Sequence, residues 1–166
     1  MILGLTLQQF TQLHVAISLV AIVSGLIAFY GALSSRRLPG WTALFLVTTI
    51  LTSVTGFMFP SAVLTPAQIF GYLSLAVLAA AVIALYVFRL NRAWRLVYVV
   101  TGMIALYLNV FVLVVQGFQK VPALHAFAPT GAEPVFFIAQ GIVFVLFLLF
   151  GYLAVTRFHP ELVSGG

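Results

Sequence analysis

The segment GFQKVPALHAFAPTGAEP, residues 117–134, gathers side chains suited to acid–base or metal chemistry. It contains Lys120, which is the only lysine of the chain, together with His125 and Glu133. Imidazole and carboxylate groups bind transition metals, and a lysine beside a carboxylate can titrate usefully when it is desolvated. Three interpretations are open: a metal site that also uses His14, an ion pair or acid–base pair of Lys120 with Glu133, and ordinary roles at a membrane surface. In the last case Lys120 extends to the interface and Glu133 caps a helix.

A second group of polar side chains lies inside otherwise apolar sequence. Asn109 and Gln116 are seven residues apart, as are Glu133 and Gln140, so each pair lies on one face of a helix. Amides and hydroxyls could line a pocket for a quinone, an isoprenoid or a lipid headgroup, or they could pair between helices for about 0.6 kcal/mol a contact. The candidate ligand-binding residues are His14, Thr52, Thr55, Gln68, Asn109, Gln116, Lys120, His125, Glu133 and Gln140.

His14 invites comparison with an axial haem ligand, because a neutral imidazole suits iron. A site with two histidine ligands needs a second histidine at the same depth, and neither His125, in a connection, nor His159, near the other side, provides it. A hydrogen bond to a neighbouring helix is the alternative. The chain has no cysteine and no GxSxG, HExxH or glycine-rich phosphate loop, so no catalytic residue and no metal site are assigned.

The elements that must position these residues are transmembrane helices. Of the 166 residues, 64% are hydrophobic and 5% are charged, whereas soluble domains carry about 25% charged residues. Five apolar runs are long enough to cross a hydrocarbon core of about 30 Å. The sequence therefore predicts one all-α domain, a bundle of five helices at 13–33, 41–59, 67–88, 94–117 and 134–156, with a longer outer loop at 118–133. Thr65 before Pro66 and Glu133 before Pro134 predict capped helix starts.

The positive charges predict the orientation. Five crossings place all six arginines on one side and Lys120 on the other, which indicates an outside N-terminus and a cytoplasmic C-terminus. Trp41 and Trp94 open the second and fourth helices on the arginine side, where aromatic rings are typical of the headgroup level. Counted from this topology, nearly every strongly polar side chain within the helices falls in the outer half.

Two segments, TTILTSVTGFMFP and VFVLVVQGFQKVPALHAFAPT, resemble small polytopic bacterial membrane proteins of uncharacterised function. This resemblance implies a bacterial inner-membrane location and brings no activity with it. Translocator-type membrane proteins also have five helices, but the tryptophan-rich pattern of that group is missing.

The function expected from the sequence is non-catalytic. We expect either an accessory subunit of a membrane complex or a binder of a lipid-like ligand in the outer half of the bundle, with residues 119–133 as a lid. A membrane redox protein that holds a quinone or a haem near the outer face is the alternative. No Asp, Glu, Lys or Arg lies within the helices away from their ends, which disfavours a stand-alone ion-coupled transporter. Membrane lipids and other membrane subunits are the expected partners, and the scattered arginines do not form a nucleic-acid-binding stripe.

Overall fold

A computed structural model describes residues 1–61 and 63–160. In these ranges the protein is helical, and five helices are long and apolar enough to cross a membrane, as predicted. A short sixth helix, which was not predicted, divides the connection that the sequence assigned to a loop. The helices are α1 (Leu7–Leu33), α2 (Pro39–Phe57), α3 (Pro66–Val82), α4 (Trp94–Lys120), α5 (Pro122–His125) and α6 (Pro134–Arg157), and a π-helical turn (Ile83–Val87) extends α3.

The first helix begins at Leu7, six residues before the apolar run that predicted it. Thr6 and Gln9 form a reciprocal cap: Gln9 N donates to Thr6 Oγ1 at 3.2 Å, and Thr6 N donates to Gln9 Oε1 at 3.0 Å. Such a capping box satisfies two amide groups that a helix start leaves without partners. Because the first turn is polar, hydropathy alone missed it.

The start of α6 differs from the prediction. Glu133 is the N-cap residue, but its side chain does not bond the first turn of the helix. Its Oε1 instead accepts from Thr130 N at 3.0 Å and from Thr130 Oγ1 at 2.9 Å, and its Oε2 accepts from Ala132 N at 3.0 Å. The predicted cap by Glu133 is therefore wrong, whereas the predicted cap by Thr65 is confirmed.

In the core, aromatic rings of α1 and α2 pack against glycines of the neighbouring helices α1 and α4. A Cβ on Gly102 would lie 2.5 Å from Phe29 Cζ, and one on Gly25 would lie 2.7 Å from both Phe45 and Leu106. Phe29 is almost fully buried. Close approach at small residues is the usual basis of helix association in lipid, where apolar burial provides no drive.

The position of α6 is peripheral. It packs on α4 and α1, and of its 24 residues only Gln140 and Ala154 are buried. Large apolar side chains such as Phe137 and Leu148 are more than half exposed. Most of the surface of α6 therefore faces outward from the bundle.

The bundle has two chemically different ends. The His14 end contains the first turns of α1, α3 and α6 and the last turns of α2 and α4. The arginine end contains the α1–α2 connection, the segment from the π-turn to α4, and the C-terminal end of α6. Lys120 lies at the His14 end and the arginines lie at the other, so the two ends hold different candidate sites.

Candidate functional site

His14 contacts the neighbouring helix α2. Its Nδ1 lies 2.8 Å from Thr55 Oγ1, and Thr55 Oγ1 donates its own hydrogen to Leu51 O at 2.7 Å. The Thr55 hydroxyl has one hydrogen, for which Leu51 O and His14 Nδ1 are both acceptors within reach, so the tautomer of His14 decides which atom donates in the His14–Thr55 bond. Phe59 packs edge-on against the imidazole with centroids 5.2 Å apart. Two predicted site residues, His14 and Thr55, are thus brought together as an interhelical pair.

The amides at mid-depth join neighbouring helices as well. Asn109 Nδ2 donates to Thr49 Oγ1 at 3.2 Å, which links α4 to α2. Gln140 Nε2 donates to Phe111 O at 3.2 Å, which links α6 to α4. Gln140 Oε1 is buried without a hydrogen-bond partner in the described part of the chain. Asn109 and Gln140 therefore bond two different partners rather than one shared ligand.

The other predicted residues have separate local roles. Gln68 Oε1 accepts from Thr65 N at 2.9 Å in the cap of α3, and Thr52 Oγ1 donates to its own helix at Thr48 O. His125 Nδ1 lies 3.2 Å from Phe118 O, so it stays close to the end of α4. Lys120 is exposed in the last turn of α4, and Gln116, one turn earlier, is half-buried.

The carboxylate of Glu133 is stabilised in its charged form. Desolvation acts to raise the pKa of Glu133, but hydrogen bonds from Thr130 and Ala132 outweigh it and lower the pKa below the usual value. Among the described residues, no group of three histidine or acidic side chains is arranged to hold a metal ion. His14, His125 and Glu133 thus each bond a different partner.

A small, partly open cavity lies at the arginine end instead, and we call it the inner cavity. Its volume is about 40 Å³, room for a water-sized group. Apolar side chains form most of its wall, and Tyr98 and Thr42, whose hydroxyl oxygens lie 3.5 Å apart, supply the buried polar atoms. The lining residues are Ala28, Ala32, Arg36, Arg37, Leu38, Pro39, Thr42, Leu85, Tyr86, Leu90, Tyr98 and Phe158.

A larger, open cavity adjoins the inner one, and we call it the arginine basin. Its volume is about 520 Å³, and it is lined by Arg37, Leu85, Tyr86, Val87, Phe88, Arg89 and Asn91. Arg37, Leu85 and Tyr86 line both cavities. Neither cavity is lined by any of the ten residues that the sequence nominated.

The chain forms the basin through an unusual connection between α3 and α4. The π-turn places Phe88 N 3.1 Å from Ile83 O, and Leu90 N then donates to Ala84 O at 3.0 Å. Three residues, Arg89, Leu90 and Arg92, have left-handed backbone angles with φ of 48°, 61° and 49°. A left-handed conformation costs an ordinary residue about 1–2 kcal/mol, and π-turns are frequent at functional sites.

The C-terminal end of α6 contributes Phe158 to the wall of the inner cavity. Arg95 Nη1 donates to Val155 O at 3.0 Å and also to Phe158 O, where a cation satisfies carbonyls that the helix end leaves free. His159 N donates to Ser35 Oγ at 2.8 Å, which ties the segment to α1. The ring of Phe158, only 3% exposed, is thereby held against Tyr98.

These cavities were not predicted from the sequence, because the arginines were interpreted only as signals of membrane orientation. A usable signal was present: the double arginine after α1 and the arginines before α4 fall in two connections that any five-helix topology places at the same end.

No protein-family model, no curated protein and no solved structure matches this chain.

Proposed function

We propose that this chain is a non-catalytic multi-pass protein of a bacterial inner membrane that binds a lipid-like ligand. The observation that supports this function best is the arginine basin. Its volume of about 520 Å³ falls within the range of about 300–1,000 Å³ that is common for ligand sites. Guanidinium, amide and phenol groups stand there beside an apolar wall, which suits an amphiphile. The ligand therefore binds at the arginine end rather than in the outer half.

The proposed orientation places the N-terminus outside and the arginine end in the cytoplasm. All six arginines are at or near that end, and Lys120 lies at the other, which is the distribution expected of the positive-inside rule. Trp94 also lies there, stacked on Phe88 with centroids 3.8 Å apart. The basin is then at the depth of the cytoplasmic headgroups.

Filling the basin tests the proposal. Asn91 is exposed and lines the basin, so Asn91→Trp places a large side chain in it, whereas Asn91→Ala leaves it open. Purified wild type and both variants are delipidated equally, and retained lipids are counted by native mass spectrometry. We expect Asn91→Trp to retain one lipid fewer than wild type and Asn91→Ala to match wild type. An identical count in all three proteins would refute lipid binding in the basin.

A second candidate function, accessory subunit of a membrane complex, is favoured by α6. Only two of its residues are buried, so one long apolar helix is available to another membrane protein. Extraction in a gentle detergent tests this function. A stable particle that contains a second protein supports it, and recovery of this chain alone as a monomer or homodimer contradicts it.

A further inference from the structure

The arginine basin has a charge suited to an anion. Arg37 and Arg89 line it, and Arg36 lines the adjoining inner cavity. Glu133 is the one acidic residue within 1–61 and 63–160, and it lies at the opposite end of the bundle, before α6. Among the residues that the structure describes, no carboxylate therefore lies beside the basin to neutralise the charge of its arginines. Guanidinium groups bind phosphate well because their planar donors match two phosphate oxygens at once.

The connection between the π-turn and α4, which lines the basin, is held in place by contacts within the protein. Leu90, which is 3% exposed, anchors the connection in the core, and its amide bonds back to Ala84 O. Asn91 N donates to Phe88 O at 2.9 Å, and the Phe88 ring stacks on Trp94 with an angle of 4° between the planes. The left-handed angles of Arg89 and Arg92 are thus maintained by the packing of their neighbours. Strain that is held in this way is typical of binding sites, where it reduces the ordering that a ligand must cause.

The basin continues into an apolar surface. Leu85, Val87 and Phe88 supply its apolar lining, and Val87 is 66% exposed. Ile83, one turn before Val87, is also exposed and extends this surface along the helix. A soluble phosphate would leave this apolar surface uncovered, whereas the acyl chains of a lipid would cover it.

We propose that the arginine basin binds the phosphate of an anionic glycerophospholipid, whose acyl chains lie along the exposed apolar side of the π-turn. Arg37 and Arg89 contact the phosphate from the two connections, and Tyr86 closes the space between them. A headgroup with net negative charge is preferred because no described carboxylate is near to pair the ammonium of a zwitterionic lipid. This inference rests on the proposed function and adds the class of ligand.

The test compares two arginines of the same connection. Arg89 lines the basin and Arg92 does not, although both are exposed and both have left-handed backbones. Wild type, Arg89→Gln, Arg37→Gln and Arg92→Gln are mixed with equal amounts of phosphatidylglycerol and phosphatidylcholine, and the ratio of bound lipids is measured by native mass spectrometry. One arginine at a membrane surface changes binding of an anionic lipid about fivefold.

We expect wild type to prefer phosphatidylglycerol and Arg92→Gln to lower that preference by no more than about fivefold, the effect of a general surface charge. Arg89→Gln and Arg37→Gln should lower it more than about tenfold, because each also loses hydrogen bonds to the phosphate. Equal losses in all three variants would overturn the site, because they would report only the general surface charge. Glycerol 3-phosphate is added as a soluble competitor, and displacement of the lipid by it at equal concentration would overturn the assignment to a lipid.

These outcomes are distinguishable from failure of the proposed function. If Asn91→Trp removes one lipid of either kind but the arginine variants keep the wild-type ratio, the basin binds lipid without selecting the headgroup, and only this inference fails. If Asn91→Trp removes none, the proposed function fails first.

Discussion

Replacing two interhelical amides, the buried Gln140 and the half-buried Asn109, by leucine should change stability in opposite directions. Gln140 is 8% exposed, and its Nε2 donates to Phe111 O while its buried Oε1 lacks a partner in the described part of the chain. Gln140→Leu loses a bond of about 0.6 kcal/mol and removes an unpaired oxygen that costs about 1–3 kcal/mol. The free energy of unfolding should therefore rise by about 0.5–2.5 kcal/mol.

The same substitution at Asn109 should lower the free energy of unfolding instead. Asn109 Nδ2 donates to Thr49 Oγ1, and Thr49 is fully buried. Asn109→Leu loses this bond and leaves the Thr49 hydroxyl in the core without its side-chain partner. The free energy of unfolding should therefore fall by about 1–3 kcal/mol.

Thermal unfolding in one detergent, followed by circular dichroism, compares the two variants. In a chain of this length 1 kcal/mol corresponds to about 2–4 °C in Tm, so the two variants should separate by several degrees around wild type. Val145→Leu is the control, because Val145 is 53% exposed on the same helix as Gln140 and should leave Tm unchanged. A lower Tm for Gln140→Leu would refute the reasoning, since it would mean that Oε1 has a bonding partner in the folded protein.

Three further predictions concern the core and the two ends. Gly102→Ala should lower stability by about 1–3 kcal/mol, because its Cβ meets a core phenylalanine ring, whereas Gly141→Ala, with open space, should not; Tm measurements decide this. Nearby hydrogen bonds outweigh desolvation and lower the pKa of Glu133 from about 4.5. The stabilisation by its carboxylate is therefore complete above pH 4.5 and is lost as the pH falls through the lower folded-state pKa. Amide exchange before α6 should accelerate in that acidic range, and Glu133→Gln should remove this pH dependence. Arg95→Gln removes a cation from the end of α6, so amide exchange at Phe158 should rise about two- to fivefold; unchanged exchange would show that the bond contributes nothing.

Hydropathy predicted the five long helices because the length of an apolar run and the thickness of a membrane are directly related. The ends of the helices were less accessible. Thr65 was recognised as a cap because a proline follows it, but the cap of α1 at Thr6 lies in polar sequence that resembles a loop. At Glu133 the residue type was right for a cap, yet its carboxylate turns back to Thr130. Local sequence does not decide between competing donors at similar distances.

The candidate sites were harder to predict because they depend on distances between helices. His14 and Thr55 are 41 residues apart, and a face-by-face reading identified both without showing that they bond each other. Asn109 and Gln140 had two alternative roles, lining one pocket or pairing between helices, and in the structure they bond two different neighbouring helices. The arginine basin depends on a π-turn and on left-handed residues, and neither has a sequence pattern as regular as hydropathy.

The contribution of Phe158 to the wall of the inner cavity has a consequence for biogenesis. The walls of that cavity come from three widely separated stages of translation: Arg36 early, Tyr98 midway and Phe158 late. While the ribosome has not yet released residue 158, the chamber lacks a wall and the α6 end lacks its ties to Ser35 and Arg95. The inner cavity therefore has its complete wall only after the last helix has been synthesised and has packed against α1 and α4.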